Sequence, residues 1–156
     1  KFRKGHFEGV LDVMNKLTKI VKPKKIFMGE KDFQQLYLVK KELGKKFRSK
    51  IVPCKTIRDK NNVALSSRNV LLKKSNLIIA AKIYEALVDI KKNTKNKKNI
   101  PNFLNFKKKE LKNNYKIKID YLELRNIKNL KISNTNKKSR LFIAYYLNNV
   151  RLIDNL

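Results

Sequence analysis

Two short stretches of this 156-residue chain gather the residue types that handle phosphates and sugars. The first is Gly29-Glu30-Lys31-Asp32, followed at once by Phe33-Gln34-Gln35. Lys31 offers a mobile cation with three donors, suited to phosphate oxygens. Asp32 offers acceptors suited to ribose hydroxyls, and Gly29 permits close backbone approach. A helix starting just beyond them adds N–H groups with no partner inside the helix. On spacing alone, the more ordinary reading is a helix cap beside a solvated lysine. Gln34 and Gln35 would point about 100° apart on a helix, so at most one of them shares a ligand with Asp32.

The second stretch is Ser66-Ser67-Arg68-Asn69. Two hydroxyls, a guanidinium and backbone amides within three residues can hold a triphosphate. Taken alone it reads as well as an ordinary capped loop. The two stretches are read together as facing one nucleotide. Other chemistries find little support. His6 is the only histidine and Cys54 the only cysteine, which excludes a histidine-based triad, a multi-histidine metal centre and a zinc site within this chain. No metal ligands are assigned. Cys54, after Ile51-Val52-Pro53, reads as a buried structural thiol, and the absence of any possible internal disulfide fits a reducing compartment.

The elements that must position these residues follow from periodicity. Residues 6–21 place Phe7, Val10, Leu11, Met14, Leu17 and Ile20–Val21 at helical spacing, an amphipathic helix that Lys22-Pro23 ends. Ile26-Phe27-Met28 is continuously apolar, as a buried parallel strand would be. Residues 32–47 return to helical period, with Asp32 as N-cap or first-turn residue, and 50–54 form a second strand. Helix, strand, helix, strand with short links predicts a doubly wound α/β sheet whose strand ends carry the ligand. Two strands are too few to complete such a sheet.

Farther on, Ser75-Asn76 caps a predicted helix over 77–91. The run 91–99 reads as a charged, solvated loop, and 101–113 as a further helix with Pro101 in its first turn. Residues 117–124 and 140–147 are predicted strands. Asn148-Asn149 makes a tight turn into a returning strand at 150–153. The expected organisation is therefore 1–56, the C-terminal portion of a Rossmann-like domain, then 57–156, a small α+β domain.

The net charge of +28 invites a nucleic-acid reading. It is discounted, because 33 of the basic residues are lysine and only seven are arginine, whereas specific phosphate and base recognition favours arginine. The lysines are also spread along the whole chain. No apolar run approaches the roughly 18 residues of a membrane span.

The quoted motifs resemble a known family. His6-Phe7-x-Gly9-Val10, Gly29-Glu30-Lys31-Asp32-Phe33-Gln34-Gln35, Ser66-Ser67-Arg68-Asn69 and Asp120-Tyr121-Leu122-Glu123-Leu124 come in the order seen in pantothenate synthetases (pantoate–β-alanine ligases). Arg151-Leu152-Ile153-Asp154-Asn155 is similar to that family's C-terminal strand. The resemblance implies a Rossmann-like nucleotidyltransferase domain followed by a small lid domain that closes over ATP. It implies condensation of pantoate with β-alanine through pantoyl adenylate, with Mg²⁺ assisting, by a cytoplasmic homodimer. By position, Gly29, Glu30, Lys31 and Asp32 match the nucleotide-binding segment, with Lys31 on phosphates and Asp32 near the ribose. Gln35 matches the pantoate-holding glutamine, and Ile57 a backbone contact to adenine. Leu65, Ser66, Ser67 and Arg68 match the mobile loop on the triphosphate, and Lys31 and Arg68 are the expected catalytic cations.

Two departures stand out. Nothing here matches the family's M-x-x-L-H-x-G-H motif, so the chain reads as starting inside the Rossmann domain. The usual D-G-L-A before the serines is replaced by Asn61-Asn62-Val63-Ala64, where Asn62 would keep a left-handed turn. The alternatives are a catalytically incomplete fragment and a basic polyanion-binding module.

Overall fold

The computed structural model describes residues 5–156. The chain divides into two compact units, Lys1–Thr56 and Ile57–Leu156.

In the first unit the order is α1 (His6–Val21), β1 (Lys25–Gly29), α2 (Phe33–Lys46) and β2 (Lys50–Cys54). The strands pair in parallel, with Ile26 opposite Ile51 and Phe27 opposite Val52. Leu36, Val39 and Leu43 recur along one face of α2 and meet Ile51 in a small core, which Val10, Leu11 and Met14 of α1 cover. Lys22 ends α1 in the left-handed region at φ 49°, before Pro23.

Three expectations need correcting here. The apolar line of α1 does not reach the core along its whole length: Leu17, Ile20 and Val21 are exposed. β1 is not buried on both faces. Side chains alternate across a strand, so Ile26 and Met28 join the core while Phe27 turns to the other face and is 66% exposed. Cys54 is only half-buried.

In the second unit α3 (Lys74–Asn93) and α4 (Ile100–Tyr115) precede β3 (Lys118–Asn126), β4 (Ser139–Leu147) and β5 (Val150–Asn155). The sheet is antiparallel, in the order β3-β4-β5. Ile83, Leu87 and Ile90 of α3 and Leu104 and Leu111 of α4 bury against Leu122, Leu124, Leu141, Ile143 and Leu147. A register shift between Ile119 and Tyr121 leaves Asp120 as a bulge in β3. Asn148 takes φ 52° at the β4–β5 turn.

The start of α3 and the 91–99 run differ from expectation. α3 begins at Lys74 with Lys73 as its cap residue, which puts Ser75 and Asn76 inside the first turn. Asn76 is buried and its Oδ1 accepts from Asn148 Nδ2 at 3.2 Å. The 91–99 run is not wholly solvated. Thr94 is 1% exposed; its Oγ1 lies 2.7 Å from the Lys91 carbonyl and 2.8 Å from Asn136 Oδ1. Lys91 Nζ donates to the Ser139 carbonyl at 2.9 Å. Burial, with Arg140 nearby, lowers the Lys91 ammonium to about 8.

Candidate functional site

The two chemistry-bearing stretches lie one in each unit. In the first, β1 delivers Gly29 at its carboxyl end, and a 3-10 turn over Glu30–Asp32 leads into α2. Gly29 itself has φ −67° and ψ 134°, a conformation open to any residue. A Cβ added there would meet no atom of the described residues within 4 Å. Neither backbone conformation nor packing among the described residues of this unit requires a glycine, and the space beside it suits close approach by a ligand. Asp32 occupies the cap position of α2, but its side chain makes no capping hydrogen bond. The expected cap position therefore holds, without the side-chain bond, and the carboxylate is left exposed. Glu30, Lys31 and Gln35 are half-buried, the last in the first turn of α2.

In the second unit, Ile57 to Leu65 form a small closed hairpin. Arg58 and Ala64 make an antiparallel bridge, and the Leu65 N–H donates to the Ile57 carbonyl at 2.9 Å. Asp59 Oδ1 accepts from the N–H groups of Asn61 and Val63, both at 2.9 Å. Asn62 turns the tip at φ 64°, a left-handed conformation that Asn tolerates better than most residues. The side chains of Ile57 and Leu65 stand exposed beside each other at the hairpin's open end.

A 3-10 turn over Ser67–Leu71 follows directly. Ser66 Oγ caps it by accepting from the Arg68 N–H at 3.2 Å. Asn69 Nδ2 donates to the Ala64 carbonyl at 3.1 Å, tying the turn back to the hairpin. Ser67 is exposed, and Arg68 Nη1 reaches the Arg151 carbonyl at 3.5 Å. The structure thus groups Gly29, Glu30, Lys31, Asp32 and Gln35 in the first unit. It groups Ile57, Leu65, Ser66, Ser67 and Arg68 in the second.

Sequence reasoning missed Arg58. Its guanidinium makes a two-pronged pair with Asp154 of β5, Nη1 to Oδ2 at 2.7 Å and Nη2 to Oδ1 at 2.8 Å. It also stacks 4.1 Å from the ring centre of Tyr84 in α3. Burial alone would lower its pKa; the hydrogen bond and charge of Asp154 raise it. Next to this pair, burial pushes the Tyr145 hydroxyl up, and the Asp154 charge adds to it. No local signal in the sequence marks Arg58, because its partner is 96 residues away.

The family model described as pantoate-beta-alanine ligase matches residues 1–156. The chain belongs to the pantoate-beta-alanine ligase family. It is 41% identical over 162 residues to the pantothenate synthetase of Flavobacterium psychrophilum, covering 100% of this chain and 56% of that relative. Among solved structures, the Thermus thermophilus pantothenate synthetase superposes with a TM-score of 0.88 at 31% identity, over 99% of this chain and 56% of that one. The Francisella tularensis pantoate-beta-alanine ligase, crystallised with β-γ ATP and β-alanine, gives 0.72 at 35% identity, over 99% and 51%. The chain spans about half the length of the family members it matches.

Among the described residues no helix is long and apolar enough to cross a membrane. No three His, Cys, Asp or Glu side chains converge as metal ligands among them.

Proposed function

We propose that this chain is the C-terminal portion of a cytoplasmic, homodimeric pantothenate synthetase, and that its first unit belongs to a Rossmann-like nucleotidyltransferase domain. The observation that carries the reading is the family match across the whole of 1–156, with both chemistry-bearing motifs inside it. The solved relative holding β-γ ATP and β-alanine supports the substrate classes.

In this reading the pantoate carboxylate attacks the α-phosphorus of ATP, the bond to the bridging oxygen breaks, and pyrophosphate leaves. The β-alanine amine then attacks the carbonyl of pantoyl adenylate and AMP departs with its electron pair. The protein has little covalent work to do. Its task is alignment, together with positive charge where the leaving pyrophosphate gains negative charge. Lys31 and Arg68 supply that charge. Asp32 takes the ribose hydroxyls, Gly29 and Glu30 line the nucleotide, and Gln35 holds pantoate. The Ile57 backbone takes adenine; Leu65, Ser66 and Ser67 close on the triphosphate. Mg²⁺, implied by the resemblance, would add positive charge at the triphosphate beside Lys31 and Arg68.

The test is pantothenate formation from pantoate, β-alanine and Mg-ATP by the polypeptide as encoded, with pantoate-dependent ATP–pyrophosphate exchange as the partial reaction. Failure of both would remove the reading. The 156 residues by themselves lack the histidine motif and are expected to show neither activity.

A further inference from the structure

Arg58 has no role in the chemistry above, yet it stands at the base of the segment that carries Ser66, Ser67 and Arg68. Its two prongs on Asp154 fix the guanidinium in its plane, and the Tyr84 ring holds one face. Both side chains are well covered, at 15% and 9% exposed, so water screens the pair little. Nη1 also donates to the Asn62 carbonyl at 3.0 Å, across the hairpin tip. Arg58 therefore holds the outgoing leg through its own backbone, the tip through Asn62, and β5 through Asp154.

The far end of the same segment is held differently. There Arg68 makes one long contact, 3.5 Å, to the Arg151 carbonyl of the same strand. A short, buried, two-pronged anchor ties the start of the segment to β5; at its finish Asn69 ties the turn to the hairpin itself, and Arg68 reaches β5 through one long contact. We propose that Arg58, clamped by Asp154 and Tyr84, is the positioning residue of the triphosphate segment, fixing the hairpin base while Arg68 stays able to leave β5 for phosphate oxygens. The inference rests on the ATP reading above.

The decisive variant is the double exchange Arg58→Met/Asp154→Leu. It removes the pair without stranding one buried charge, a change that is often neutral for stability. The melting temperature of the 156-residue chain should stay near that of the parent. Amide hydrogen exchange at Leu65 and Arg68 should quicken about tenfold or more. In the polypeptide as encoded, kcat/KM for ATP in the pantoate-dependent exchange should fall about tenfold or more, with KM for pantoate unmoved. Unchanged amide exchange together with unchanged ATP kinetics would make the pair a stabilising contact only and overturn the proposal. Should the double variant not fold, Asp154→Asn, which keeps the volume and one acceptor, decides by the same two readouts. Arg58→Lys keeps the charge but loses the fork, and should fall between. If the parent polypeptide shows no pantoate-dependent exchange at all, the ATP reading fails, and the amide data alone judge the anchor.

Discussion

Arg68 and Arg151 meet through the backbone of the second: the Arg68 guanidinium donates to the Arg151 carbonyl at 3.5 Å. Arg151 turns its own guanidinium the other way, its Nε donating to Asp120 Oδ2 at 2.8 Å. One strand residue thus steadies two charged groups, one through its main chain and one through its side chain. The Arg68 contact is long enough to be given up cheaply, which suits the phosphate-binding role proposed for it.

Replacing Arg68 with Ala should therefore lower kcat for pantoate-dependent exchange by about 10²–10³-fold. It should cost only about 0.5–1 kcal/mol in stability. Lys31→Ala should show a comparable loss of rate. Exchange rates equal to the parent in both variants would remove the site assignment.

Gly29→Ala separates fold from ligand. The backbone there is ordinary and a Cβ meets nothing among the described residues, so urea unfolding should stay within about 0.5 kcal/mol of the parent. ATP binding should weaken nonetheless, read as a raised KM for ATP. A variant with unaltered KM would show that the space beside Gly29 is not used.

Asp120→Ala strands a partly buried guanidinium. The Asp120 side chain is 7% exposed and that of Arg151 19%. Burial would lower the Arg151 pKa, but the Asp120 hydrogen bond raises it, so in the variant the guanidinium loses its carboxylate and keeps the Tyr121 hydroxyl as a neutral partner. The expected loss is about 2–3 kcal/mol, below the range for a fully buried pair, measured as a shift of the urea midpoint. A shift below a few tenths of a kcal/mol would show that the bulge at Asp120 is held by other contacts.

Lys91 gives a pH signature. The folded group releases its proton near pH 8, the unfolded one near 10.5. Below pH 8 both states are protonated, and the cost of the half-buried charge is present in full. Between about 8 and 10.5 the unfolded chain binds more protons, so this contribution to stability rises with pH. Lys91→Met should be the more stable form at pH 7, with its advantage shrinking from pH 8 toward 10.5. An advantage independent of pH would argue that packing alone distinguishes the two.

Asn62 sits at φ 64°. Asn62→Gly should be nearly neutral. Asn62→Val should cost about 1–2 kcal/mol, since a branched side chain resists the left-handed region. Equal unfolding midpoints for the two would mean that the tip relaxes to another turn.

What was legible in the sequence was what neighbours in the chain decide. The helices α1 and α2 follow apolar spacing, α4 starts with Pro101 in its first turn, and the β4–β5 turn follows Asn148-Asn149. What was not legible depends on partners far away or on how much of a sheet is present. Thr94 looked solvated because the Asn136 it touches lies 42 residues on. Phe27 looked buried because a continuous apolar run implies two covered faces, whereas the first unit covers one. Asp32 has the right chemistry for a cap and makes no capping bond, a distinction residue type cannot draw. In the candidate site the motif residues were legible as local clusters of polar groups, whereas Arg58, whose partner is 96 residues away, had no such signal.

The 96-residue gap between Arg58 and Asp154 has a consequence for biogenesis. A chain leaves the ribosome from its N-terminal end, so the hairpin over 57–65 emerges long before β5. Until Asp154 follows, Arg58 has no carboxylate to close on, and the serine–arginine turn has no strand to lean against. A chaperone or protease that meets the nascent protein in that interval finds this loop unlatched, and a stop codon only a few positions ahead of Asp154 would leave it so for good.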